Sequence, residues 1–373
     1  MISSISIDGY RGFEHFEMPD LGRINLLVGT NNSGKTSLLE VVSLLESGGD
    51  LSRLWSILWS RGERAYRSLP PLEKNPAPRI VPEAEVAHLF HGHEIHPGTR
   101  LSITAKNESP ERSLGLEIRE VSPNDKIDTQ LIDDRDDSPL PRMALQLIGS
   151  PSPLVPLVVL SRNLGIPAGQ LRRPSRRSQP ERPVQFISTS SSSAEEVMSA
   201  WNKVSLKPEE QLVLQALRSL DSDIERIALR AETPQQYWGP GSRGGFMVKL
   251  KSSEQPVPIG SMGDGIWRML ALSMALAQSK GGTLLVDEID TGLHYTVMSK
   301  MWNLIYSAAK DFNVQIFATT HSHDCVYSLA QICADADPTN KITVQRIEPN
   351  KSQSIPYDQE EITVAAAREI EVR

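Results

Sequence analysis

The residues best equipped for chemistry are Gly29, Gly34, Lys35 and Thr36, spaced as G-x-x-x-x-G-K-T within Gly29-Thr-Asn-Asn-Ser-Gly-Lys-Thr-Ser37. Glycines at those two positions let a loop curl until its backbone N–H groups converge, which suits a chain of phosphates. In this reading Asn31, Asn32, Ser33 and Ser37 belong to the cradle, Lys35 reaches the β- and γ-phosphates, and Thr36 ligates Mg²⁺. The flanks agree. Ile24-Asn-Leu-Leu-Val28 reads as a buried strand, and Leu38, Leu39, Val41, Val42, Leu44 and Leu45 recur at helical spacing. Strand, loop and helix together predict a nucleoside triphosphate site.

A second group of residues answers the first from the far end of the chain. Gly282-Thr-Leu-Leu-Val-Asp287-Glu288 is an apolar strand ending in two acids, which places both at the carboxyl edge of a parallel sheet, where ligands bind. Asp287 is expected to hold Mg²⁺ and Glu288 to orient and polarise an attacking water. Val314-Gln-Ile-Phe-Ala-Thr-Thr-His321-Ser322 repeats the pattern and delivers an imidazole to the same edge, within reach of a γ-phosphate. Between them, Ser261-Met-Gly263-Asp-Gly265 opens the apolar helix Ile266 to Gln278, and small residues at a helix start make a further anion site. One chain thus offers two anion sites for one nucleotide. A symmetric dimer with two ATP molecules at its interface would use both, each helix start covering the partner's nucleotide.

In this order, the motifs resemble those of ABC-type ATPase heads of the SMC/RecF/OLD branch. The opening Gly9-Tyr-Arg-Gly-Phe13 and the segment Asn25-Leu-Leu-Val-Gly-Thr-Asn-Asn-Ser-Gly-Lys-Thr-Ser-Leu-Leu-Glu40 are similar to the OLD-like ATPases of bacterial anti-phage systems. The resemblance covers the two ends of the chain and leaves the middle unmatched. It implies an α/β P-loop NTPase head with a mixed or parallel core sheet, an inserted antiparallel β lobe and a helical arm or lobe. It further implies that Ser261, Gly263 and Gly265 act in trans as the signature, that Asp290 is a dimer-facing acid, that His321 is the switch histidine, and that Arg11 lies near the nucleotide. Gln185 is the candidate for the family's metal-contacting Q-loop glutamine. The function implied is an ATP-hydrolysing homodimeric switch with Mg²⁺, controlling a separate nuclease or toxin effector. About fifty residues follow His321, which leaves no room for the TOPRIM nuclease of OLD proteins. Two rival readings are a RecF-like ATPase on duplex DNA and a scaffold that ATP merely clamps.

These motifs need a scaffold, and the chain of 373 residues is expected to form a single split ATPase domain over residues 1 to 373. Residues 50 to 183 read as an inserted β-rich lobe, with strands such as Arg100 to Ala105, Leu114 to Ile118 and Leu154 to Leu160. The lobe ends in an Arg-rich stretch, 165 to 183, read as a flexible loop or a contact for DNA or an acidic partner. Residues 194 to 222 read as a helical arm broken at Pro208, entered through a Ser192 or Ser193 cap. Residues 256 to 350 hold the second half of the site. The net charge of −7 argues against a chain-wide grip on nucleic acid, so any DNA contact is local. His88, His91, His93 and His96 cluster, as do Asp133, Asp134, Asp136 and Asp137, but no second ligand group answers either, and neither is assigned a metal. Two cysteines, no signal pattern and no apolar run of membrane-spanning length predict a cytoplasmic protein.

Overall fold

The computed structural model describes residues 1–69, 79–107, 111–122, 125, 142–149, 157–171, 182–189, 193–230, 243 and 245–372. The chain opens with β1 (Ile2–Tyr10), β2 (Phe13–Met18), β3 (Ile24–Val28), α1 (Lys35–Glu46) and α2 (Leu51–Ser60). Short strands follow: β4 (Arg64–Leu69), β5 (Arg79–Glu85), β6 (Arg100–Asn107), β7 (Arg112–Glu120), β8 (Met143–Ile148), β9 (Val158–Val159), β10 (Gly165–Pro167) and β11 (Val184–Ile187). Then come α3 (Ala194–Val204), α4 (Glu210–Leu220), β12 (Ile224–Leu229), β13 (Phe246–Leu250), β14 (Val257–Pro258) and α5 (Asp264–Gln278). The last part alternates β15 (Thr283–Val286), α6 (Tyr295–Asp311), β16 (Gln315–Thr319), α7 (His323–Cys333), β17 (Ile342–Arg346), β18 (Ile355–Tyr357) and α8 (Gln359–Ala367).

The sheet that positions the chemistry has the order β11-β15-β16-β3-β17-β18, parallel throughout except for the last pair. Its central strand β3 is buried at all five positions, as expected of a parallel strand covered on both faces. Alternation sorts the two faces. Leu26, Val28, Leu284, Val286, Ile316 and Ala318 join a core with helices α3 to α8, whereas Leu27, Leu285 and Phe317 join one with α1 and the antiparallel strands. Helix α1 is therefore sandwiched between two sheets. Leu38, Leu39, Val41 and Val42 are fully buried there, each contributing roughly 1.5–3 kcal/mol of burial.

Two buried amides join the layers. Gln315 accepts from the N–H of Ile2 at 2.7 Å and donates to the carbonyls of Ile2 and Gly22. Asn25 donates to the carbonyls of Gly22 and Ile316 while its oxygen accepts from Gly22 N–H and Thr343 Oγ1. A buried amide with its groups satisfied fixes one register where an aliphatic side chain would permit several.

The antiparallel lobe differs in composition from its expected boundaries. Strands β6 to β9 extend the N-terminal hairpin into one sheet, β2-β1-β6-β7-β8-β9, with Ile5 opposite Ala105. A two-stranded hairpin cannot hide its apolar face alone, so the insert completes it. Of the expected strand Leu154 to Leu160, only Val158–Val159 is extended within the described residues. Helices α3 and α4 break around Pro208 as predicted, and Ser193 caps α3 with a reciprocal bond to Glu196. Of the two forms expected, arm or lobe, they take the lobe, packed on α5, because Val197, Trp201, Val213 and Leu217 are all buried in the helical core. The Asp133 to Asp137 cluster, Arg172, Arg173, Arg176 and Arg177 lie outside the described residues. No helix among the described residues is long and apolar enough to cross a membrane.

Gly34, at φ +95°, marks where the hairpin meets the loop: a Cβ there would lie 2.4 Å from the Phe13 ring. Strain at a positive φ adds to overpacking, so Gly34→Ala is expected to lose on the order of 2–4 kcal/mol. Urea unfolding of the purified variant measures it, and a loss under about 1 kcal/mol would show that Phe13 moves aside freely.

Candidate active site

The loop after β3 folds as its glycines require. Gly29 has φ +143° and Asn32 φ +63°, and a Cβ on Gly29 would lie 2.3 Å from the carbonyl oxygen of Ile347. Asn31 and Asn32 are exposed at the tip, and Ser33 is buried with its hydroxyl lacking a hydrogen-bond partner among the described residues. Helix α1 begins at Lys35, and the N–H groups of Lys35, Thr36 and Ser37 in its first turn have no carbonyl one turn back to bond. An unpaired buried hydroxyl and a free helix start, curled around glycine, are what a polyphosphate would satisfy. The Ser37 hydroxyl is already occupied, since Arg61 donates to it at 3.1 Å, so its share in a cradle is its backbone N–H.

Lys35 donates to the carbonyls of Gly29 and Thr30, both at 2.8 Å, and folds back over its own loop. Burial lowers its pKa to about 8, although Asp287 and Glu288 pull in the opposite direction. The amine must be protonated to hold phosphate, and it loses its proton as pH rises through the folded-state value. Affinity for MgATP is thus expected to be full below about pH 7 and to fall about tenfold per pH unit above about pH 8. Titrating Kd against pH checks this; a flat profile to about pH 10 would refute the desolvation of Lys35.

The sheet brings the acids to this loop across 251 residues of sequence: Thr36 Oγ1 stands 3.2 Å from both carboxylate oxygens of Asp287. A hydroxyl facing a carboxylate at a phosphate loop is an oxygen-donor pair suited to Mg²⁺. Thr319, at the end of β16, donates to Asp287 Oδ1 at 2.7 Å and accepts from the N–H of Glu288 at 2.8 Å. Glu288 adopts φ +47°, and its carboxylate accepts from Thr291 Oγ1 at 3.0 Å. That turn directs the second acid away from the first. His321 lies two residues beyond β16 at the same edge and is half-buried. Thr320 donates to Asp290 at 2.5 Å, tying the segment after Glu288 to the strand that carries His321.

The 3₁₀ turn Ile259–Met262 leads into Gly263 at φ +92° and then α5. Ser261 and Gly263 are exposed, and Gly265 packs its backbone near Gly292 and Leu293, next to the acidic segment. From the same helix Arg268, only 7 % exposed, donates to the carbonyls of Ser188, Asp287 and Glu288. Burial lowers the Arg268 pKa, with Asp287, Asp290 and Glu288 acting against it. Arg268, Thr319 and Thr291 were missed by sequence reasoning. Their signals were slight: one charge beside an apolar helical run, and polar residues at strand and turn positions.

Two expectations are corrected. Arg11 is not free for a nucleotide: its guanidinium is buried, paired with Glu40 at 3.0 Å and with Glu63, and it donates to the carbonyl of His88. Burial opposes its charge, yet Tyr10, Glu63 and Glu40 outweigh that and hold its pKa above the usual value. Gln185 is not at the metal edge. It pairs with Leu284, three residues before Asp287 on the neighbouring strand, or about 10 Å short at the rise of a strand. Among the described residues no group of three or more His, Cys, Asp and Glu could hold a metal; within the histidine cluster, His91 is bonded to the carbonyl of Arg11 at 2.9 Å.

Comparison with known proteins gives one family model and several similar proteins. The family model described as "AAA domain, putative AbiEii toxin, Type IV TA system" matches residues 24–324. A Helicobacter pylori protein named "ATP/GTP phosphatase" is 22% identical over 358 residues, covering 90% of each chain. The SMC head domain from Thermotoga maritima covers 96% of this chain and 98% of its own at 10% identity and a TM-score of 0.45. A Smc head domain with an extended coiled coil, bound to the C-terminal domain of ScpA derived from Pyrococcus furiosus, covers 99% of each chain at 12% identity and a TM-score of 0.49.

Proposed function

The chain belongs to the AAA-domain family described as a putative AbiEii toxin of a type IV toxin–antitoxin system, and on that footing we propose that it is an ATPase working as a dimeric switch. The observation that carries the reading is the chain of contacts from Thr36 through Asp287 and Thr319 to the backbone of Glu288. These contacts support a site in which Thr36 and Asp287 form the metal pair and Glu288 the water-activating acid beside the phosphate loop. The relative named ATP/GTP phosphatase supports the same chemistry. Lys35 and the first-turn N–H groups bind and orient the β- and γ-phosphates, Glu288 accepts the proton of the attacking water, and His321 holds that water. Bound between Thr36, Asp287 and the phosphates, Mg²⁺ would supply charge neutralisation at the developing anion.

The exposed turn at Ser261 and Gly263, just before α5, supports the dimer. It belongs over the γ-phosphate of a second copy, where it would exclude water and distinguish ATP from ADP. Analytical ultracentrifugation tests this directly: dimer with a non-hydrolysable ATP analogue and monomer with ADP. An unchanged species in the two nucleotides would overturn the switch.

In cells the switch acts for a separate nuclease or toxin effector in anti-phage defence. The OLD-like opening motifs support this role; the family's description, a putative toxin of a type IV toxin–antitoxin system, supports a toxin context alone. Loss of phage protection on Lys35→Ala, with the neighbouring gene intact, is the expected outcome; undiminished protection would remove the role.

A further inference from the structure

Among the described residues, strand β11 is the edge of the parallel sheet and pairs with β15 alone. Beside it lies a cleft of about 500 Å³, walled by α1 and α2 on one side and by α3 and α5 on the other. That volume falls within the roughly 300–1,000 Å³ of small-molecule sites. It is separate from the phosphate loop. Its nearest wall on α1, Glu40 and Ser43, stands five to eight residues along the helix from Lys35, or roughly 8–12 Å.

The lining sorts into two kinds of chemistry. Phe186, Met274, Ala271 and Ala275 make an apolar patch, while Gln185, Ser188 and Gln278 supply neutral donors and acceptors. The charged residues are unequal. Glu40 is already engaged by Tyr10, Arg11 and Arg61, and Glu196 by the cap of α3. Arg53 lines the cleft and, among the described residues, makes a single long bond, 3.4 Å, to the carbonyl of Val184. Burial pulls its pKa down, and only Asp50 acts against that. In the α1 wall Ser43 is fully buried, and its hydroxyl has no hydrogen-bond partner among the described residues. A partly desolvated cation with one long bond among the described residues is a cost that an anionic ligand would relieve.

We propose that this cleft binds a small organic anion of about mononucleotide size, with its phosphate or carboxylate on Arg53 and its apolar face on Phe186 and Met274. One cation sets the head group, the amides and serines read polar edges, and the apolar patch takes a ring.

The test uses the full chain carrying Lys35→Ala, so that the phosphate loop contributes nothing. AMP and UMP probe a phosphate head, N-acetyltryptophan a carboxylate head, and inorganic phosphate the head alone, each by calorimetry and saturation-transfer NMR. We expect AMP, UMP or N-acetyltryptophan to bind one per chain with a Kd of about 1 mM or tighter. Arg53→Met should weaken it at least tenfold, and so should Ser56→Trp, which narrows the mouth from an exposed helix position without entering the core. Which head group binds identifies the ligand class. Failure of all three organic probes, phosphate binding as tightly as AMP, or binding unchanged in both variants would overturn the proposal.

Discussion

Glu288→Gln is expected to lower kcat for ATP hydrolysis by about 10²–10⁴-fold, the usual contribution of a general base, while MgATP affinity stays nearly unchanged. The geometry separates the two effects. Glu288 is anchored by Thr319 through its backbone and by Thr291 through its side chain, and an isosteric amide can still accept from Thr291. The phosphate contacts remain, so the ATP-bound dimer should accumulate. Lys35→Ala is the converse. Removing a buried cation from its phosphates costs about 2–5 kcal/mol, or roughly 30-fold or more in affinity. Equal loss of ATP affinity in the two variants would remove Glu288 from the chemistry.

The second large effect comes from mixing two inactive proteins. Lys35→Ala breaks the loop half of a shared site, and Ser261→Arg breaks the helix-start half. Ser261 suits the purpose because it is exposed, whereas Gly263 sits at a positive φ where any side chain would distort the turn as well. In a heterodimer one site then has both intact halves, and the other has neither. Random exchange makes half of the dimers mixed, each with one working site of two, so about a quarter of wild-type activity should return if single sites turn over alone. The measurement is steady-state phosphate release on mixing, with subunit exchange followed by mass spectrometry and single-site turnover checked in a linked dimer. With both established, no recovery would mean that each chain carries its whole site.

The loop at Gly29 to Ser37, the acids Asp287 and Glu288, and His321 were legible because each is a local pattern: an apolar strand followed at once by the residues it delivers. The same held for α5, α3 and the break at Pro208. Locality was also where the reading ended. Arg11 looked available because its pairing is not with Asp8 or Glu14, its acidic neighbours in sequence; its partners Glu40 and Glu63 arrive from α1 and from the turn before β4. Gln185 carried the right side chain, but its depth in the sheet is set by register against Leu284, which no spacing records.

Which residues would sit at strand ends and helix starts was readable along the chain, since backbone geometry and apolar periodicity act over a few residues at a time. Which of those ends meet came from long-range packing. The Thr36 to Asp287 approach, the Thr319 bridge and the Arg268 clamp each span a parallel sheet or a helix-to-sheet contact. Parallel neighbours are never adjacent in the chain, and their order β15-β16-β3 is fixed by long-range packing of two apolar cores and by the buried amides of Asn25 and Gln315. The chemistry was written locally, and its assembly was decided by contacts between residues from 19 to 251 positions apart.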